Sequence, residues 1–169
     1  MIRPAEIGLQ GEFILCIGHA GNYRQLSRFH YTRSAPASYA LIVTAHHATC
    51  PNTRHVVGVG VLSNPTLSCG ARETAMRLGK VPREWRWRYL NRHLRTISRV
   101  IVHPQYRGVG LSSEITRCLI RLCPTRYVEA ISHMATHHPL FECAGMRCVE
   151  AGDGSRPAYF LHDSLAALV

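Results

Sequence analysis

Ile97-Ser98-Arg99-Val100-Ile101-Val102-His103-Pro104-Gln105-Tyr106-Arg107-Gly108-Val109-Gly110-Leu111-Ser112 is the stretch on which the fold turns. Thr96 to Val102 is rich in β-branched residues and reads as a strand. Ser112 to Leu122 reads as a helix with Ile115, Leu119 and Leu122 inward. Between them, Gly108 and Gly110 let the backbone bend tightly and approach a ligand with no Cβ in the way. The helix start at Leu111 to Ser113 leaves amide N–H groups without intrahelical partners, at the positive end of the helix dipole. Together they predict an anion site suited to a pyrophosphate. Glu114 would oppose an anion there and is expected to point outward. The site is neither a P-loop, since no G-x-x-x-x-G-K-[ST] occurs, nor a dinucleotide fingerprint, since Gly108-Val109-Gly110 is followed by Leu-Ser-Ser.

Working outward, residues 12–17 form a short apolar run readable as a first strand, followed by a helical or turn region carrying Tyr23, Leu26, Phe29 and His30. Tyr39 to Ala45 and His55 to Leu62 read as two strands of a hairpin, turned by residues 49–54. Residues 63–82 read as an irregular loop with one helical turn, and Arg83 to Leu94 as a helix. Tyr127 to Ile131 is a strand, Pro139 to Ala144 starts a helix that Gly145 ends, and Ala158 to His162 closes with a strand. This order predicts one α/β domain over residues 1–169, a three-layer fold with a mixed central sheet and helices on both faces.

The 169 residues carry 20 Lys and Arg against 10 acids, a formal +10 that suits polyanionic ligands. No acid stands between Glu12 and Glu73, and 19 of the 20 basic residues are arginine, the better side chain for forked phosphate contacts. A codon bias towards arginine accounts for that composition equally well. Arg88, Arg92 and Arg95 share a face beside Trp85 and Trp87 and could track a phosphodiester backbone, although the tryptophans read more simply as core. Seven cysteines without a secretory leader predict reduced thiols in the cytoplasm, and no apolar run approaches the length of a membrane span. No C-x-x-C pair occurs, and no metal is expected. Cys118 belongs to the apolar face of its helix.

Val102 to Leu111, with Arg107 and Gly110 in place, resembles the [RQ]-x-x-G-x-[GA] acyl-CoA signature of the GNAT N-acetyltransferase superfamily. Ser112 stands where the pattern has Gly or Ala, and His138 to Met146 is similar to the superfamily's last helix. The combination of His30-Tyr31-Thr32-Arg33, Leu90-Asn91-Arg92, Ser98-Arg99-Val100 and Met134-Ala135 resembles GNAT-like domains found with ABC-type ATPases and, more loosely, phage Mom-like DNA-modification proteins. The resemblance implies acetyl-CoA or another acyl-CoA as cofactor, with the backbone of Val100, Ile101 and Val102 on the pantetheine arm. The amides of Arg107, Gly108, Val109, Gly110, Leu111 and Ser112 would take the pyrophosphate.

It implies transfer of the acyl group to an amine, with the net charge favouring a nucleic-acid or nucleic-acid-associated acceptor. The superfamily's usual thiolate-protonating tyrosine falls at Phe141, which has no proton to give. His30, Tyr31, Glu129, Ser132 and His133 are therefore the candidates for acid and base, each of which serves equally well as a packing residue. The expected partners are acyl-CoA, DNA or RNA, an ABC-type ATPase and, with oligomeric state left open, a second copy of the chain in a homodimer. The rival readings are a Mom-like enzyme altering adenine in DNA and a degenerate GNAT-fold binding module without catalysis.

Overall fold

A computed structural model describes residues 13–32, 34–48, 55–134, 138–153 and 155–166. Its elements run β1 (Phe13–Ile17), α1 (Ala20–Leu26), β2 (Leu41–His47), β3 (Val56–Ser63), α2 (Gly70–Ala75), α3 (Arg83–His93), β4 (Leu94–Val102), α4 (Leu111–Leu122), β5 (Tyr127–Ser132), α5 (Leu140–Cys143), β6 (Arg147–Glu150) and β7 (Ala158–Asp163). The strands form one sheet in the order β1-β2-β3-β4-β5-β7-β6, antiparallel except at β4 and β5. The mixed three-layer α/β reading holds, while the predicted turn at residues 49–54 lies outside the described residues.

β3 is buried along its whole length, and from Gly58 onward its side chains part by parity. Val59 and Val61 pack with Tyr23 and Leu26 of α1, whereas Gly58 and Gly60 face α4. A Cβ on Gly60 would lie 2.5 Å from Ile115 and 2.7 Å from Leu119, so helix and sheet touch there without an intervening side chain. Ile115, Cys118 and Leu119 are buried as expected, but Leu122 is 41% exposed because α4 ends there, beyond the sheet contact.

Three boundaries moved. The helix over 83–94 stops at His93, since Leu94 adopts extended geometry and pairs with Tyr127 in the sheet. β6 was missed because Arg147-Cys148-Val149-Glu150 is a largely exposed edge strand, which needs backbone pairing with β7 but no apolar face. α2 is longer than one turn and is held by a charge, not by hydrophobic periodicity. Its Arg72 is 1% exposed and pairs with Glu129 of β5, which is fully buried.

The Glu129 carboxylate accepts four hydrogen bonds: from Arg72 Nε at 2.8 Å and Nη2 at 2.6 Å, from Thr96 Oγ1 of β4 at 2.6 Å, and from Tyr159 OH of β7 at 3.0 Å. One side chain thus joins α2, β4, β5 and β7 beneath the sheet. Burial, with the neighbouring Glu129 charge, pushes the Tyr159 hydroxyl far above its usual range, so it acts only as a donor.

Replacing Glu129 with Ala strands a buried guanidinium and is expected to lower stability by about 3–5 kcal/mol in denaturant unfolding. A loss below about 1 kcal/mol would show that the cluster does not tie the layers together. Gly60→Ala is expected to cost about 1–3 kcal/mol through overpacking against α4, read in the same experiment.

Candidate functional site

The parallel pairing of β4 with β5 is short, running only from Leu94↔Tyr127 to Ile97↔Ala130. Beyond it, Ile131 and Ser132 pair with β7 alone. β4 departs because Ser98 is an inserted residue: Ile97 sits opposite Leu62 and Arg99 opposite Val61, with nothing opposite Ser98. Such a bulge bends its strand. The Ser98 hydroxyl fixes it, lying 2.7 Å from Ser63 Oγ, which donates to the Ser38 carbonyl at 2.6 Å. From Ser98 to Val102, the edge of β4 that faced β5 therefore has no strand partner.

The space so opened is a cleft of about 640 Å³ that continues to the turn before α4. Gly108 at φ 86° and Gly110 at φ 82° are both left-handed, which explains the requirement for glycine. Gly110 caps α4 with its carbonyl accepting from Ser113 and Glu114, and the first helical residues Leu111 and Ser112, whose amides have no intrahelical partner, line the cleft. Arg107 Nε donates to the Val102 carbonyl at 3.2 Å, folding the guanidinium back over the strand end. Glu114 pairs with Arg117 and does not line the cleft.

Most of the anticipated residues meet there: Val100, Ile101, Val102, Arg107, Gly108, Gly110, Leu111 and Ser112 on the β4–α4 side, with His30, Tyr31 and Ser132 across from them. Val109 does not line it and is 54% exposed at the turn's tip. Two catalytic candidates are corrected. Glu129 points to the opposite face of β5 from Ala130 and is saturated by the cluster described above. His133 follows the strand end, is exposed, and does not line the cleft. Phe141 lines it as a buried ring against Phe160 and brings no proton.

His30 is set by a 3₁₀ turn, Ser27–Phe29, that continues α1. Its ring stacks on Tyr31 with centroids 4.4 Å apart. Nδ1 lies 3.0 Å from the Thr32 amide nitrogen and 3.2 Å from the Thr32 carbonyl oxygen. The same residue can therefore donate to Nδ1 or accept from it, and in the latter tautomer Nε2 keeps a free lone pair. Burial pushes the pKa of His30 down, the Thr32 carbonyl opposes this, and the Arg99 charge lowers it further. The imidazole is thus biased towards its neutral, proton-accepting form.

Sequence reasoning missed Ser98 and Arg99 as cleft residues, and His138 near α5. The signal for the first two was a polar pair inside the apolar run Ile97 to Val102, which marks a bulge. The arginine stripe is also corrected. Arg88 and Arg92 are exposed on α3, but Arg95 belongs to β4 and donates to the Asn91 and Leu94 carbonyls at 2.7 Å, closing the helix end. Trp85 is 66% exposed with Arg88 over its ring, not in the core.

A second cleft, of about 910 Å³, opens at the other end of β5 between Trp85, Tyr89 and Arg147. It contains none of the anticipated residues, so size does not decide between the two. No group of three metal-ligating side chains occurs among the described residues, and no helix there is long and apolar enough to cross a membrane.

This architecture, a mixed sheet split between two parallel strands beside a glycine turn and helix start, is similar in fold to solved N-acetyltransferase structures. Arabidopsis thaliana NAA60 in complex with acetyl-CoA matches with TM-score 0.64 and 12% identity over 89% of this chain and 99% of that one. A GNAT-family N-acetyltransferase (YhbS) of Escherichia coli in complex with CoA matches with TM-score 0.59 and 13% identity over 92% and 83%. The aminoglycoside acetyltransferase AAC(6')-Ib in complex with coenzyme A and kanamycin matches with TM-score 0.54 and 17% identity over 91% and 96%. No protein-family model and no curated protein matches the sequence.

Gly110→Val forces a β-branched residue into left-handed geometry and is expected to cost more than about 1 kcal/mol while distorting the turn. Backbone amide NMR shifts confined to residues 107–113 would report that distortion; unchanged shifts would show that the left-handed turn is not required.

Proposed function

We propose that the chain is an acyl-CoA-dependent N-acyltransferase, with acetyl-CoA as the first candidate donor. The observation that carries this reading is the continuity, in one cleft, of the unpaired β4 edge with the Gly108–Ser112 turn and the start of α4. An extended amide-bearing arm can pair with the backbone of Val100 to Val102, while a pyrophosphate meets the α4 amides and Arg107. Solved structures of the same fold, with acetyl-CoA or CoA bound, support the choice of cofactor.

Acyl-CoA would supply the thioester for direct attack by an amine. The chain's task is to align the reactants and move protons. His30 takes the proton of the attacking amine on Nε2, with Nδ1–H donating to the Thr32 carbonyl. With Phe141 unable to act, a proton for the leaving thiolate comes from another hydroxyl in the cleft, Ser132 or Tyr31. The acceptor is an amine of a nucleic acid or a nucleic-acid-associated molecule. The +10 charge, the exposed Trp85 with Arg88 over its ring, and the exposed Arg92 support that choice. Action beside an ABC-type ATPase is a narrower form of this reading, whereas a Mom-like enzyme that alters adenine in DNA by a chemistry other than acetylation is a rival to it. Phe141 favours one rival, a binding module without turnover.

Calorimetric titration is expected to show saturable micromolar binding of acetyl-CoA, with ADP much weaker. Arg107→Glu places a carboxylate beside the pyrophosphate and is expected to abolish it; unchanged affinity would overturn this placement. With any acceptor that turns over, kcat/KM is expected to fall on acidification, because His30 works unprotonated, with a midpoint below the ordinary 6.5. His30→Gln is expected to lose about 10²-fold or more and to abolish that acidic limb. Mass spectrometry of DNA and tRNA incubated with the protein and acetyl-CoA identifies a modified base, if nucleic acid is the acceptor.

A further inference from the structure

The bulge at Ser98 gives β4 two differently used faces. Val100 and Val102 lie opposite Gly60 and Gly58, on the α4 side where the turn and helix start are found. Arg99 and Ile101 lie opposite Val61 and Val59, on the α1 side with Phe29 and His30. Arg99 therefore brings a cation into the cleft on the face away from the pyrophosphate site.

Among the described residues its charge has no counterion. Nη1 donates to the Ser98 carbonyl at 2.6 Å, and Nη2 to the Ser34 carbonyl at 2.8 Å and hydroxyl at 3.1 Å, all neutral acceptors. Nε is buried with no hydrogen-bond partner among the described residues. The guanidinium is close enough to bias the His30 imidazole. Among the described residues, no Asp or Glu lines this cleft. Elsewhere the molecule does pair arginines with carboxylates: Arg72 with Glu129, Arg86 with Glu73, Arg117 with Glu114 and Arg126 with Asp163. A half-buried cation held by neutral oxygens repels a polycationic acceptor and attracts an anion.

We infer that Arg99 is a specificity-determining residue for the acceptor, selecting amines whose molecule also carries a phosphate or carboxylate. The inference rests on the acyl-transfer reading above and narrows it. The amine is placed at His30 and the anionic group at Arg99, while a polyamine or aminoglycoside, which would need carboxylates in the acceptor site, is excluded. Fixed to the bulge carbonyl and to the Ser34 segment, the guanidinium is oriented before the acceptor arrives, which limits the side-chain entropy lost on binding.

The test uses matched acceptors differing only in the anion: dAMP against deoxyadenosine, 4-aminobenzoate against 4-aminobenzamide, and an amino acid against its amide. Binding to the CoA-loaded full-length protein is measured by ligand-observed NMR titration, and turnover with acetyl-CoA by chromatography of released CoA. In at least one pair the anionic member is expected to bind about tenfold or more tightly and to be acylated. The pair that responds tells phosphate from carboxylate. Arg99→Gln is expected to bring the ratio close to one, and Arg99→Lys to retain most of it, which a merely structural role would not produce. Equal binding within every pair, preference for the uncharged member, no saturable binding of any anionic member, or a ratio unaffected in Arg99→Gln overturns the inference. Should Arg99→Gln fail to fold, the wild-type ratios and Arg99→Lys still decide. Anion-selective binding without turnover by any pair would instead count against the acyl-transfer reading and leave Arg99 as an anion selector.

Discussion

The junction of β4 and β5 is held by one carboxylate. Glu129 sits in the last turn of contact before the strands part, and its hydrogen bonds to Thr96, Arg72 and Tyr159 lock β4, α2 and β7 to β5. A buried ion pair contributes little net stability against a hydrophobic replacement, but it tolerates only one geometry. Here that geometry sets the closed end of the cleft. Immediately beyond it, the extra residue Ser98 turns β4 away, so the two strands are pinned at one end and splayed at the other. The order of these features along β4, Thr96 and then Ser98, is what makes the opening a cleft of fixed shape and not a frayed sheet.

Packing on the other face follows from the same constraint. α4 must begin close to the end of β4 for its amides to face the opening, and it is brought down onto β3 by the absence of side chains at Gly58 and Gly60. The left-handed Gly108 and Gly110 then allow the chain to reverse within a few residues. The tight turn, the glycine pair on β3 and the apolar stripe of Ile115 and Leu119 thus act together, although they stand roughly 50 residues apart in the chain.

Charge is distributed with similar economy. Acidic groups are used to neutralise arginines in the body of the molecule, and the described lining of the cleft carries none. Arg107 at one end and Arg99 on the other face leave a positive field across the opening, with a half-buried His30 biased towards its neutral form within it. Such a field concentrates anionic ligands and disfavours cationic ones.

What the sequence determined by itself is local. The strand, glycine turn and helix over 96–122 were legible because β-branched runs, glycine geometry and 3.6-residue periodicity are short-range physics, and, Val109 apart, they located the β4–α4 side of the cleft. Glu129 illustrates the limit: a carboxylate beside the anticipated gap read as a candidate base, and only the tertiary structure showed its side chain on the far face, saturated by Arg72 from 57 positions away. His133, Arg95 and Trp85 failed for the same reason, since the facing of a side chain at an element's end depends on what packs there. Arg99 was visible as a charge in an apolar run, but its role was not. Its register against Val61, set by the single inserted residue Ser98, decided which face it serves. Parity along a strand is a property of the sequence, and the bulge that inverts it is a property of the pairing.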